Sequence, residues 1–155
     1  MKHFFPFTTF FFLSLNLLAQ YGGTASVRIE NSDGEEEYIN VVHDIPYTLG
    51  IRGESRSKVE ESLEREIKSK VGYSGKMKSS ISFNVFEVGE RSGRSGRASV
   101  KVINKDGKTR YINVSEAGRP FGNNRNDLAK TLFDNIKYEM EYGERFYGSI
   151  QYTLN

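Results

Sequence analysis

The sequence predicts an α+β fold: a tandem duplicated β-β-α-β unit in two layers, with two helices packed on one face of a largely antiparallel sheet of about six strands. Segment 25–41 aligns without gaps on segment 98–114, and Ala, Ser, Val, Asn, Asp, Gly, Tyr and Ile recur in place. Each copy continues into one apolar stripe at helical spacing and then an alternating segment. One helical stripe for every three strands indicates helices that cover one face of a sheet.

The first 19 residues have the pattern of a secretory signal peptide. A weakly basic start precedes a stretch of Phe and Leu, and Ala19 stands before a polar chain. The apolar stretch is shorter than the roughly 20 residues of a spanning helix. We therefore expect cleavage after Ala19 and an exported chain, periplasmic or extracellular, without a transmembrane segment after cleavage. An uncleaved membrane anchor is the alternative.

The remaining chain divides into a first ββαβ repeat (20–89), a Ser/Gly/Arg connector (90–97) and a second ββαβ repeat (98–155). The chain contains no Cys, so its stability has to come from a hydrophobic core and not from disulfides. Half of such a chain is small for an independent core. We therefore expect the halves to share one sheet, and two separate three-stranded lobes are the alternative.

Each copy begins with a predicted hairpin. Ala25, Val27 and Ile29 alternate with polar residues, which is typical of a half-buried strand. Asp33-Gly34 and Asp106-Gly107 then supply the turns, because Gly tolerates the positive φ that tight hairpins require. The returning strands carry the shared Tyr-Ile-Asn-Val segment.

The predicted helices follow the hairpins. Val59, Leu63, Ile67 and Val71 form a stripe at i, i+4 spacing, with Ser57 and Glu60 spaced as a capping box and Gly72 placed to end the helix. Asn126 is the predicted cap of the second helix. Ile81, Phe83 and Val85, and in the second copy Ile150, Tyr152 and Leu154, alternate with polar residues in the last strands.

The patterns that point to chemistry are weak. The acidic segment around Asp33 resembles a calcium loop in composition, but the second copy keeps only Asn104, Asp106 and Gly107 among basic residues, which favours turn chemistry over a metal site. His43-Asp44 could serve acid–base catalysis, yet it has no counterpart in the second copy, and adjacent side chains on a strand point apart. We therefore expect no catalytic residues, no metal, no cofactor and no enzymatic activity.

The charges divide between the two halves. Residues 20–90 hold 9 Lys/Arg against 13 Asp/Glu, a net charge of −4, and residues 91–155 hold 12 against 7, a net charge of +5. Opposite charges favour docking of the two copies, and equally favour head-to-tail association of two molecules. The basic run from Arg91 to Arg97 is interpreted as a solvated connector, so no nucleic-acid partner is predicted.

Two surfaces are candidates for binding. The sheet face opposite the helices carries hydroxyl and amide side chains with a few tyrosines, which suits contact with a glycan or a protein. The strand-to-helix loops expose aromatic residues and arginines among Gly and Pro. The candidate binding residues on these surfaces are Tyr38, Asn40, Tyr47, Arg52, Tyr111, Asn113, Arg119 and Phe121.

The sequence thus predicts an exported, non-enzymatic binding or interaction protein that acts through the open polar sheet face or the strand-to-helix loops. Its partner would be a protein, a glycan or a second copy of the chain. The alternatives are a structural or assembly subunit of the cell envelope, a secreted inhibitor, or a hydrolase with an unrecognised pair of carboxylates.

Overall fold

The computed structural model describes residues 20–44, 54–89, 94–117 and 124–155. The predicted signal peptide and most of both strand-to-helix loops lie outside these ranges. The described elements, in chain order, are β1 (Tyr21–Asn31), β2 (Glu36–Val42), α1 (Arg56–Ser74), β3 (Gly75–Met77), β4 (Ser82–Glu87), β5 (Gly96–Ile103), β6 (Thr109–Glu116), α2 (Arg125–Glu139), β7 (Arg145–Phe146) and β8 (Gln151–Leu154). Strand β5 thus begins at Gly96, within the predicted connector.

The α+β class is confirmed: helices pack on antiparallel sheets. The eight described strands form two four-stranded sheets, however, and not the single sheet of about six strands that the sequence suggested. In the first sheet β1 is central, with β2 on one edge and β3 followed by β4 on the other. In the second sheet β5 has the same position between β6 and the pair β7 and β8. The tandem duplication itself stays a prediction of the sequence.

Each sheet has its own helix and its own core. Val27 and Ile29 of β1 pack with the stripe that the sequence predicted on α1, all four of whose members are buried. In the second half Val100 and Val102 pack with Leu128, Leu132 and Ile136 of α2. The inward alternation of both central strands is therefore confirmed. Phe83 is the exception in the last strand of the first half, because 38% of it is exposed.

The hairpin turns form as predicted. Gly34 and Gly107 adopt φ values of 80° and 76°, in the left-handed region that glycine tolerates. Asn31 orders the first turn, because its side-chain oxygen accepts hydrogen bonds from the backbone N–H groups of Asp33 and Glu35. Asn104 does the same in the second turn. The Asn, Asp and Gly that the two hairpins share are thus explained by turn geometry.

The helix ends differ from the sequence prediction in three places. The N-cap of α1 is Ser55, and its side chain makes no capping hydrogen bond, so the capping box from Ser57 to Glu60 does not form. Gly72 lies inside α1, which continues to Ser74 and ends at Gly75. The N-cap of α2 is Asn124 and not Asn126: the Asn124 side chain accepts from the Asp127 backbone N–H. Asn126 is free for a different role.

Candidate functional site

The two halves meet where the edge strand β2 approaches the turn between β7 and β8. The Asn40 side chain donates a hydrogen bond from Nδ2 to the Gly148 carbonyl at 3.2 Å and accepts one at Oδ1 from the Ile150 N–H at 3.1 Å. The Asn40 amide thereby bonds the carbonyl of Gly148 and the N–H of Ile150. These are the backbone groups that the main chain of a neighbouring strand would bond. A side chain replaces the backbone ladder here, so the two sheets stay separate.

Asn126 makes a second polar connection between the halves. Its Oδ1 accepts a hydrogen bond of 3.1 Å from the Gly23 N–H, and its Nδ2 donates one of 2.8 Å to the His43 carbonyl. Asn126 is only 2% exposed. Gly22 lets the helix approach this closely, since a Cβ there would lie 2.4 Å from Asn126 Oδ1. The first turn of α2 is therefore fixed against β1 and the end of β2.

Among the described residues, the ion pairs Lys130–Asp44 and Arg145–Glu35 cross the same junction. Lys130 Nζ lies 2.6 Å from Asp44 Oδ1, and Arg145 lies 3.0 Å from Glu35 Oε2. In both pairs the acidic residue comes from the first half and the basic residue from the second. This agrees with the net negative charge of the first half and the net positive charge of the second. Because most of these side chains are half exposed, the pairs add orientation more than stability.

A polar cleft of about 250 Å³ lies beside this junction. The outer face of the first sheet forms one side with Ser26, Ser82 and Asn84, and Ser149 and Gln151 of the second half form the other. The short hydroxyl and amide side chains of this face were predicted from strand alternation. The structure brings residues of both halves together around one space, which sequence alternation alone did not show.

The outer face of the second sheet continues from the cleft. Strand register places Asn113, Ser99 and Gln151 in one row across β6, β5 and β8. The next row contains Tyr111 opposite Lys101, and the Lys101 ammonium lies 5.3 Å from the centre of the Tyr147 ring. Tyr111 is 65% exposed. This surface offers aromatic rings and a cation beside neutral hydrogen-bonding groups. We call this surface and the cleft together the polar face.

The candidate binding residues of the sequence analysis separate into three groups. Tyr111 and Asn113 are exposed on the polar face, and Tyr38 is half-buried, so neither tyrosine belongs to the core. Asn40 lines the cleft but is only 6% exposed, and its amide is already bonded across the junction. The loop candidates Tyr47, Arg52, Arg119 and Phe121 lie outside the described residues.

Sequence reasoning missed an apolar groove at the helix ends. The groove lies between the C-terminal ends of α1 and α2 and contains Tyr38, Tyr73, Phe133, Met140 and Phe146. Tyr73 is 92% exposed although it lies in a helix. The sequence contained one sign of this groove: Tyr73 is a large aromatic residue that does not belong to the buried i, i+4 stripe of α1, so its ring has to lie on another face of the helix.

His43 forms a pair with a different carboxylate from the one beside it in the sequence. Its Nε2 lies 2.6 Å from Glu54 Oε2, whereas Asp44 pairs with Lys130. The His43 side chain is only 3% exposed. An imidazole at this depth connects the end of β2 to the start of α1, and a substrate in solvent would not reach it. Among the described residues there is also no group of three or more His, Asp or Glu side chains arranged to hold a metal ion.

The ion pair between Arg110 and Glu144 shifts the pKa of its carboxyl group. Arg110 donates hydrogen bonds of 2.7 and 2.8 Å to the two carboxylate oxygens of Glu144, and it also donates to the Glu139 carbonyl. The hydrogen bonds from Arg110 hold the pKa of the Glu144 carboxyl below its usual value, although desolvation opposes them. The pair fastens the turn after α2 to strand β6.

Comparison of the chain with models of known protein families, with curated proteins and with solved structures found no significant match. Within the described ranges, no helix has the length and apolar character needed to cross a membrane.

Proposed function

We propose that this chain is an exported, non-enzymatic binding protein that recognises a hydroxyl-rich ligand, a glycan, through the polar face. The observation that carries the proposal is the convergence of Ser26, Ser82, Asn84, Ser149 and Gln151 on one cleft. These side chains are uncharged, and each can donate or accept a hydrogen bond. A ligand with many hydroxyl groups and no charge complements such a lining.

The surface beside the cleft supports the same ligand class. Tyr111 presents most of its ring to solvent one row away from Ser99 and Asn113. An exposed tyrosine offers a flat apolar area with one polar tip, which suits the faces of sugar rings. The cleft would hold one residue of the ligand, and the neighbouring sheet face would contact the next residues.

A role in binding and not in catalysis is supported by the position of His43. The one histidine of the mature chain is buried and bonded to Glu54. The polar face itself carries neutral amides and hydroxyls, with Lys101 and Arg97 as cations on the outer face of β5. Such groups bind and orient a ligand but do not transfer protons near neutral pH.

The test is a glycan array probed with the chain from Gln20 onward, followed by calorimetric titration of the best ligand. Asn84→Ala and Gln151→Ala are each expected to weaken binding about tenfold, because each removes hydrogen bonds to the ligand. Asn135→Ala is the matched control, since it removes an amide on α2, away from the polar face. Absence of glycan binding, or binding that both cleft variants leave unchanged, would refute the proposal.

The second candidate is a protein partner, and the exposed tyrosines favour it. Tyr73, Tyr138 and Tyr142 are almost fully exposed near the ends of the helices. A pull-down with the mature chain from its own envelope or growth medium distinguishes the two candidates. A protein captured by the wild type and lost with Tyr73→Ala, but not with Gln151→Ala, would replace the glycan proposal.

A further inference from the structure

The contact that joins the two halves is directional. The first half contributes the edge of β2, with Asn40, and the second half contributes the turn between β7 and β8. Because different surfaces meet, each half has one surface that the internal contact does not use. On the second half this is the edge of β6, and on the first half it is the turn between β3 and β4.

Strand register identifies the residues on the free edge of β6. Asn40 pairs with Ser26 of the central strand β1, and Asn113 pairs in the same way with Ser99 of β5. Asn40 is buried by the other half, whereas Asn113 is exposed. Asn113 therefore has an exposed amide at the position that matches Asn40, whose amide bonds the other half at the internal junction.

The turn between β3 and β4 likewise matches the one between β7 and β8. The Lys78 N–H bonds the Arg28 carbonyl, and the Tyr147 N–H bonds the Lys101 carbonyl, which is the matching position on β5. The residues that follow correspond in order: Ser79 to Gly148, and Ile81 to Ile150. Ser79 is exposed and Ile81 is half-buried, so this turn is accessible in the first half.

We propose that the chain associates head to tail with further copies of itself, using an intermolecular version of its internal junction. The Asn113 amide of one molecule would donate to the Ser79 carbonyl and accept from the Ile81 N–H of the next. Because the two surfaces differ, each added molecule presents a new free edge, and the assembly grows as a chain. The unequal charges of the halves also favour this orientation, since the basic half would meet the acidic half of its neighbour.

The side chains around the amide make this contact weaker than the internal one. Glu35 and Arg145 form an ion pair at the internal junction. The position that matches Glu35 in the second hairpin turn holds Lys108. The position that matches Arg145 in the first half holds Lys76, because Lys76 pairs with β1 as Arg145 pairs with β5. Two lysines would thus face each other between molecules. This repulsion predicts weak association that depends on concentration.

The repulsion also supplies a sharp test by sedimentation velocity of the chain from Gln20 onward, from low micromolar to millimolar concentration. The wild type is expected to show growing average mass with concentration. Lys108→Glu and Lys76→Glu should each tighten association about tenfold, because each replaces repulsion by an ion pair. The double variant Lys108→Glu with Lys76→Glu places two acids together and should lose that gain.

Asn113→Ala removes both hydrogen bonds of the amide and should weaken association about tenfold in the wild type and in Lys108→Glu. Thr109→Ala is the matched control: it lies on the same strand, and its counterpart Glu36 pairs with Arg28 inside its own half. Monomers at every concentration in both wild type and Lys108→Glu would overturn the proposal. So would association that Asn113→Ala leaves unchanged. Asn84→Ala and Gln151→Ala leave Asn113 unchanged, so the test of glycan binding does not rely on these outcomes.

Discussion

The side-chain oxygen of Asn126 accepts a hydrogen bond of 3.1 Å from the backbone N–H of Gly23, which joins residues 103 positions apart in the sequence. The same side chain donates to the His43 carbonyl. One buried amide thus satisfies a donor and an acceptor at the end of the first sheet. This contact is a more specific link between the halves than the exposed ion pairs beside it.

Replacing Asn126 by Ala should destabilise the protein strongly. The change leaves the Gly23 N–H and the His43 carbonyl buried without partners, and we expect a loss of about 2 to 4 kcal/mol in the free energy of unfolding. Urea denaturation followed by circular dichroism measures this. Ser57→Ala, at the matching exposed position of α1, should change the stability by less than about 0.5 kcal/mol. Equal effects of the two variants would contradict the role given to Asn126.

Two glycine substitutions should have opposite effects on stability. Gly22→Ala places a Cβ against the Asn126 side chain, and we expect a loss of about 1 to 3 kcal/mol from the forced shift. Gly72→Ala lies inside α1 with no neighbouring atom within 4 Å of the added Cβ, and we expect a gain of about 1 kcal/mol from helix propensity. Thermal unfolding of both variants beside the wild type checks the pair. A stabilised Gly22→Ala would show that α2 does not approach β1 as described.

Tyr152 carries a buried hydroxyl that has no hydrogen-bond partner among the described residues. Burial raises the pKa of its phenol, with a smaller contribution from the nearby Asp134 charge. The matching residue of the first half is Phe83. We therefore expect Tyr152→Phe to leave stability unchanged or raise it by up to about 1 kcal/mol. A clear loss of stability in chemical denaturation would mean that the hydroxyl has a partner.

The Arg110–Glu144 pair should make the free energy of unfolding depend on pH in the acidic range. Because the folded state lowers the pKa of Glu144 below 4.5, its contribution is complete above that value and is lost as the pH falls through the lowered pKa. The wild type is therefore expected to lose stability below about pH 4.5 more steeply than Glu144→Gln. Melting temperatures measured from pH 7 to pH 3 test this. Parallel profiles for the two proteins would contradict the assignment, and Glu139→Gln provides a control at a neighbouring exposed carboxylate.

Much of the local structure could be predicted from the sequence, because it depends on neighbours along the chain. Alternation predicted the buried face of β1 and β5, the i, i+4 stripe predicted the buried face of α1, and Asp-Gly predicted both hairpin turns. The helix starts were harder. Ser57 and Asn126 both have residue types suited to caps, and the true caps lie two residues earlier, where the backbone leaves the extended conformation at Ser55 and Asn124.

The sequence by itself determined which residues are apolar and inward-facing, where the chain turns, and that the charges of the halves oppose each other. Only the tertiary structure decided how many sheets form and which polar residues remain accessible. The reason is that local sequence does not distinguish the two positions: Asn40 and Asn113 both lie in a Tyr-Ile-Asn-Val segment of a returning strand. Asn40 is buried at the junction and Asn113 is exposed, because within the described ranges β2 lies against the other half and β6 has no such partner.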